Sequence, residues 1–126
     1  MSGIAEFVAV TVDCPEPPVL AAFYAALTGG EITYDTPEAA AVKLPNGLDV
    51  YFQGVPGHRA PTWPAGDRPQ QFHLDLYVDD LDKAEARVAE LGGSRPEFQP
   101  GAGRWRVLAD PAGHPFCACL RPGTTG

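Results

Sequence analysis

Residues 72–93 read FHLDLYVDDLDKAEARVAELGG, and residues 7–30 read FVAVTVDCPEPPVLAAFYAALTGG. Each stretch is an apolar run that ends in Val-Asp, followed by a turn, a segment with helical periodicity and Gly-Gly. A repeat of this length in a chain of 126 residues predicts two copies of one supersecondary unit. Since two such units can pair their sheets around a shared cleft, the repeat also predicts where a ligand would bind.

The first copy is predicted to continue into further strands and to form a module over residues 4–54. Short strands are expected near 31–35, 40–44 and 48–54. Pro45-Asn46-Gly47 separates the last two strands and is a strong hairpin signal. The order of elements in this module is therefore predicted to be βαβββ.

The second copy is predicted to form a matching module over residues 71–121. Its later strands are expected near 94–98, 104–109 and 115–120. Asp110-Pro111-Ala112-Gly113 has the residues of a type I turn, with Asp first, Pro second and Gly fourth. The second module is therefore also predicted to be βαβββ.

Residues 54–70, between the modules, contain four prolines and three glycines and are predicted to be a linker without regular structure. The length of the chain suits one domain, so residues 1–126 are predicted to fold together. The predicted fold class is α+β, with two βαβββ modules that form an open, barrel-like mixed sheet around a cleft.

The composition excludes several classes of partner. Nine Lys and Arg stand against sixteen Asp and Glu, which gives a formal charge of −7. A field of this sign repels a phosphate backbone, so no nucleic-acid partner is expected. There is neither a long apolar window nor a signal-peptide pattern, so no membrane partner is expected. Three cysteines without framework spacing fit a reducing, cytoplasmic location.

Strand alternation predicts which side chains face the cleft, because residues two apart share one face of a strand. In four strands the uniformly apolar positions are expected to pack on the helix. The side chains that alternate with them include Tyr51, Gln53, His73, Asp75, Tyr77, Cys117 and Cys119. Polar, aromatic and thiol groups together are typical of a small-molecule site. A solvated face or a subunit interface is the alternative.

Two tryptophans and one histidine add to this candidate site. Trp63, in the linker, and Trp105, in a late strand, are candidates for stacking on a flat ligand, with plain packing as the alternative. His73 is a candidate metal ligand, general base or hydrogen-bonding group, and Asp75 on the same face can hold its ring. A thiolate on Cys117 activated by His73 is a further alternative.

Several motifs carry a family resemblance over Phe7 to Leu120. They are FYxxLxG in the first half, HxDxxVxDLDxAxxRVxxLG in the second, and DPxGxPF near the end. In these motifs the chain resembles the vicinal-oxygen-chelate superfamily of glyoxalases, bleomycin-resistance proteins and extradiol dioxygenases. Within it, the chain is similar to short glyoxalase-like proteins of the actinobacterial type. The superfamily spans lyases, isomerases, dioxygenases, transferases and drug-binding proteins, so the resemblance implies a fold more than a function.

The resemblance also implies positions for metal ligands, which in family enzymes come from four strands. The two positions in the second half fall on His73 and Cys117. Those in the first half fall on Phe7, which cannot bind a metal, and near Gln53. The resemblance therefore implies a degenerate metal site and no resident cofactor. If a divalent metal such as zinc is bound, the expected ligands are His73, Cys117 and Gln53.

Three functions are compatible with these observations. The first is a protein that binds a small apolar or aromatic metabolite or drug; its ligand-binding residues would be Tyr51, Gln53, Trp63, His73, Asp75, Tyr77, Trp105 and Cys117. The second is a metal-dependent lyase or isomerase of the glyoxalase type, with His73 as the candidate catalytic residue. The third is a non-catalytic dimeric interaction module. Short relatives commonly dimerise, so the resemblance implies a homodimer as well as a small-molecule partner.

Overall fold

The computed structural model describes residues 3–123, which form two helices and seven strands. The earlier elements are β1 (Ala9–Cys14), α1 (Pro17–Thr28), β2 (Glu31–Asp35), β3 (Ala39–Lys43) and β4 (Asp49–Gly54). The later ones are β5 (Leu74–Val78), α2 (Leu81–Glu90), β6 (Trp105–Ala109) and β7 (Pro115–Leu120). The chain divides into two compact units, the first ending at His58 and the second beginning at Arg59. This division falls inside the predicted linker.

In the first unit, α1 covers one face of a four-stranded mixed sheet with strand order β1-β4-β3-β2. Strand β1 runs parallel to β4, and the other neighbours are antiparallel. Tyr24 of α1 stacks on Phe52 of β4, with ring centroids 5.6 Å apart. Gly29 ends the helix in the left-handed conformation, and its N–H donates to the carbonyl of Ala25.

In the second unit, α2 lies against a three-stranded mixed sheet with strand order β5-β7-β6. The side chain of Asp80 accepts a hydrogen bond from the backbone N–H of Lys83 at 2.9 Å, which makes Asp80 the N-cap of α2. Arg106 of β6 reaches Asp82 and Glu85 of α2 at 2.9 and 3.0 Å. Strand β6 therefore turns Arg106 towards the helix.

The prediction of a strand near 94–98 is wrong. Only Ser94 pairs with β6, in an isolated bridge to Ala109. Pro96 lacks a backbone N–H and breaks the ladder. At Val107 the side-chain amide of Gln99 makes the hydrogen bonds that a neighbouring strand would make. It donates to the carbonyl of Val107 and accepts from its N–H, both at 2.8 Å. The second module therefore has one strand fewer than predicted, and a glutamine side chain completes its edge.

The apolar runs from Phe7 and from Phe72 were predicted to be the first strands of the two modules, and both strands begin two residues later. Strand β1 starts at Ala9, opposite Asp49, and Phe7 before it is 71% exposed. Strand β5 starts at Leu74, opposite Phe116, and Phe72 before it is 69% exposed. In each case the parallel partner strand, β4 or β7, begins directly after a turn. The residues before Ala9 and before Leu74 therefore have no strand residues opposite them to pair with.

The α+β class and the two mixed sheets confirm the predicted fold class. Both turn predictions are also confirmed. The N–H of Gly47 donates to the carbonyl of Leu44, and that of Gly113 to the carbonyl of Asp110, both at 2.8 Å. The single domain over residues 1–126, which extends beyond the described residues, and the cleft between the modules stay predictions. Over residues 3–123, neither helix has the length and apolar character needed to cross a membrane.

Candidate functional site

The exposed sheet face of the second unit brings together most of the predicted site residues. Strand alternation leaves Asp75 and Tyr77 exposed, while Leu74, Leu76 and Val78 between them are partly buried. Asp75 pairs with Cys117 and Tyr77 pairs with Cys119 in the parallel register of β5 and β7. Across β7, Cys119 pairs with Trp105 of β6. Directly paired residues share a face, so Asp75, Tyr77, Trp105 and both thiols lie on one side of this sheet.

His73 completes this face just before β5 begins. Its Nε2 lies 3.1 Å from a carboxylate oxygen of Asp75. The imidazole nitrogen, a carboxylate oxygen of Asp75 and the Cys117 sulfur lie within 4.8 Å of one another. One donor just before β5, a second two residues later on β5 and a third directly across the ladder on β7 therefore make a compact cluster, which we call the His73 cluster.

The electrostatics of the His73 cluster keep its thiol protonated. Burial first, and then the negative charge of Asp75, raise the pKa of Cys117 to about 11. Burial and Asp75 raise the pKa of Cys119 in the same direction. A thiol in this state is a weak nucleophile at neutral pH, because the thiolate is the reactive form. The alternative of a Cys117 thiolate activated by His73 is therefore disfavoured.

The donor set of the His73 cluster fits a divalent metal of the zinc type. Imidazole nitrogen, carboxylate oxygen and thiolate sulfur are the three ligand types that zinc accepts, and three protein ligands are the usual number in a zinc site with an open position. Zinc would have to displace the thiol proton of Cys117, so its binding would weaken as the pH falls. Asp75 was not predicted as a ligand, although its position two residues after His73 was a signal for it. Gln53 lies in the first unit, and its role as a ligand stays a prediction.

The aromatic residues of the second unit differ in the contacts that they make with other side chains and with the backbone. The indole N–H of Trp63 donates to the carbonyl of Phe98 at 3.2 Å, and the two rings are 6.2 Å apart. The guanidinium of Arg121 lies 5.8 Å from the centre of the Tyr77 ring. Trp63 therefore packs within its own unit, and one face of Tyr77 carries a cation. Stacking of Trp63, Tyr77 and Trp105 on a ligand stays a prediction.

The first unit holds an open hollow of about 460 Å³ on the sheet face opposite α1. Its lining includes two of the predicted site residues, Tyr51 and Gln53, which are exposed while Val50 and Phe52 beside them are buried. The other lining residues are Thr11, Thr33, Tyr34, Ala39, Ala40, Ala41 and Phe52. The hollow is mainly apolar, with hydroxyl and amide groups at intervals.

Sequence reasoning missed Tyr34, which is 56% exposed and lines this hollow. Regular pairing would continue from Ile32 opposite Val42 to Tyr34 opposite Ala40, on the face that α1 covers. A register shift at Thr33 instead places Tyr34 opposite Ala41, on the open face. The aromatic residue itself was a signal, but the bulge that turns it outwards has no clear sequence signature.

The family-model comparison decides the family. A family model described as Glyoxalase-like domain matches residues 9–119. The chain belongs to this family. Two curated relatives of this glyoxalase-like protein, from Mycobacterium tuberculosis and Mycobacterium bovis, are both named "Putative glyoxylase CFP32". Each is 34% identical over 110 residues, which are 85% of this chain and 40% of the relative. The chain thus spans well under half the length of CFP32.

Solved structures confirm the fold that the sequence predicted. A glyoxalase-related enzyme from Fulvimarina pelagi has a TM-score of 0.67 at 21% identity, covering 94% of this chain and 90% of its own. The fosfomycin resistance protein FosX from Listeria monocytogenes has a TM-score of 0.69 at 17% identity, covering 96% and 97%. A bleomycin resistance determinant encoded on transposon Tn5 has a TM-score of 0.58 at 20% identity, covering 94% and 99%. At these identities the likeness concerns the fold alone.

Proposed function

We propose that this glyoxalase-like protein binds a small apolar or aromatic metabolite or drug on the open sheet face of its first unit. The hollow of about 460 Å³ carries this proposal. Ligand sites are concave, of roughly 300–1,000 Å³, and mostly apolar with a few polar groups. Tyr51 supplies aromatic surface, and Gln53 supplies a hydrogen-bond donor and an acceptor in the same hollow.

The names of related proteins agree with a small ligand. FosX is a fosfomycin resistance protein and the Tn5 protein is a bleomycin resistance determinant, so two proteins of this fold are named for resistance to drugs. Roles for Trp63, His73, Asp75, Tyr77, Trp105 and Cys117 in binding the same ligand remain part of the proposal. Substituting them one at a time tests each role once a ligand is known.

A thermal-shift screen of metabolites and drugs tests the proposal. A ligand at ~100 times its Kd stabilises the folded state by about 2.7 kcal/mol, which raises Tm by several degrees in a domain of this size. We expect hits on the wild-type protein that are weakened in Tyr51→Leu and Gln53→Ala and unchanged in Val19→Ala, on α1. The absence of any stabilising compound in a broad set would contradict the proposal.

The His73 cluster favours a second candidate function, a metal-dependent lyase or isomerase. His73, Asp75 and Cys117 would hold the divalent ion. Such an ion, when bound, supplies the positive charge that stabilises an oxyanion beside a carbon that loses a proton. In the cluster as it stands, Asp75 orients the imidazole of His73.

Elemental analysis distinguishes the second candidate from the first. The protein is incubated with zinc, passed through a desalting column and analysed for bound metal. We expect about one equivalent in the wild type and in Cys119→Ser, since Cys119 is outside the cluster. His73→Ala and Cys117→Ser should retain little, because two ligands are too few for a stable site. Equal retention in all four proteins, or none in the wild type, would overturn this candidate.

A further inference from the structure

We propose that Tyr34 and Tyr51 hold a planar aromatic ring between them, above the methyl group of Ala41, and that the favoured ring is cationic. This inference rests on the proposed function, because it names the class of ligand that the hollow of the first unit takes. It assigns to Tyr34 a role that the sequence did not predict.

The register of the sheet places the two tyrosines on either side of a small residue. Tyr34 of β2 pairs with Ala41 of β3, and Ala41 pairs with Tyr51 of β4. Thr11 of β1 pairs with Tyr51 and ends the row. The four residues therefore form one row across the open face, in which a methyl group lies between two phenol rings.

The width of this gap suits one aromatic ring. Adjacent strands are about 4.8 Å apart, so the backbones of Tyr34 and Tyr51 are separated by roughly 10 Å. A flat ring in contact with a second ring on each side needs about 7–8 Å between the outer rings. Rings that lean slightly towards each other leave that space, because the Ala41 side chain fills so little of it.

Both tyrosines are available for such a contact. Tyr34 and Tyr51 are exposed, and in the part of the chain that the structure describes neither ring stacks on another aromatic side chain. The bulge at Thr33 turns Tyr34 onto this face in place of the α1 face. Bulges are over-represented where a side chain is re-aimed at a functional site.

Charge around the row determines which aromatic ligands are favoured. The next row along the same face contains Glu31, Lys43 and Asp49, with Lys43 bound to Asp49 at 3.2 Å. On the other side, Gln53 pairs with Asp13. Three carboxylates thus stand against one ammonium group, in a chain of net charge −7. Tyrosine rings also attract cations through their faces, so a cationic ring is favoured over an anionic one.

Fluorescence polarisation with proflavine, a planar aromatic cation, tests the inference on the full chain. We expect Tyr34→Leu and Tyr51→Leu each to weaken proflavine binding by about tenfold, because each removes one stacking partner. Tyr34→Phe keeps the ring and should restore affinity to within about twofold of the wild type. Val19→Ala, on the opposite side of the sheet, is the control that should bind like the wild type. Circular dichroism establishes that each variant is folded.

Competition experiments test planarity and charge separately. Anthracene carboxylate, a planar anion, and adamantylamine, a non-planar cation, should each displace proflavine at least about tenfold less well than N-methylquinolinium, a planar cation that does not fluoresce at the wavelengths used for proflavine. Proflavine affinity unchanged in Tyr34→Leu, or equal displacement by all competitors, would overturn the aromatic sandwich. Failure of proflavine to bind while anionic or non-planar compounds stabilise the protein would overturn it too, yet leave the proposed function standing. A screen without any binding compound would overturn both.

Discussion

At the scale of the residue, Cys117 is a potential metal ligand whose thiol stays protonated at neutral pH. Its thiol is half-buried and lies beside the carboxylate of Asp75. Burial and the negative charge both disfavour the thiolate, so the pKa of Cys117 rises to about 11. The same thiolate is the form that binds a metal, so the ion and the proton compete for one sulfur atom.

Alkylation by iodoacetamide reports the ionisation of Cys117 directly. In a Cys119→Ser background, we expect the rate at pH 9 to be low, since a thiol with a pKa of about 11 is only about 1% ionised there. The rate should then rise about tenfold per pH unit until it levels off near pH 11. Mass spectrometry of the modified peptide follows the reaction.

The variant Asp75→Asn tests whether the charge of Asp75 contributes to the raised pKa of Cys117. Removing the negative charge stabilises the thiolate, so the pKa of Cys117 falls and alkylation at pH 9 becomes faster. Burial is the larger cause, so the pKa should stay above its ordinary value. A plateau of the wild-type rate below pH 9 would contradict the account of this residue.

At the scale of the element, the middle of the outer edge of β6, at Val107, depends on one side chain. Gln99 donates to the carbonyl of Val107 and accepts from its N–H, which are the bonds that a neighbouring strand would otherwise make. Without Gln99, a buried residue of β6 would have two unpaired backbone groups on an open sheet edge.

Gln99→Ala should therefore destabilise the protein. The loss of two hydrogen bonds at partly buried backbone groups is expected to lower the free energy of unfolding by about 1–3 kcal/mol. Chemical denaturation followed by circular dichroism measures it. Gln71→Ala, at an exposed position before β5, is the control and should change the free energy by less than about 0.5 kcal/mol. Equal stability of the two variants would show that the Gln99 bonds contribute nothing.

Elements were predictable where local signals and long-range pairing agreed. The turns at Pro45–Gly47 and Asp110–Gly113 depend only on nearby backbone, and both are found. The strand at 94–98 failed because Pro96 removed a ladder donor and Gln99 replaced the strand. Phe7 and Phe72 have strand-like sequences, but their partner strands begin too late to pair with them.

At the scale of the whole molecule, alternation predicted the exposed faces better than it predicted the site. It correctly separated Tyr51 from Phe52 and Asp75 from Leu76, since Phe52 is buried and Leu76 partly buried while Tyr51 and Asp75 are exposed. It could not reveal Tyr34, whose orientation depends on a bulge. It placed His73, Asp75 and Cys117 on one face, but it could not show that Cys117 lies directly across from Asp75, because that pairing depends on a parallel register between distant segments.

The central claim is that the open face of the first unit binds a small aromatic ligand, and amide NMR tests it most directly. Proflavine is titrated into ¹⁵N-labelled protein of residues 1–126, and chemical-shift changes are mapped on the sequence. The account predicts the largest saturable changes at Thr11, Tyr34, Ala41, Tyr51 and Gln53, with little change along α1 beyond its contacts with the sheet. Saturable changes centred on α1, or none at these five residues when proflavine binds, would contradict it.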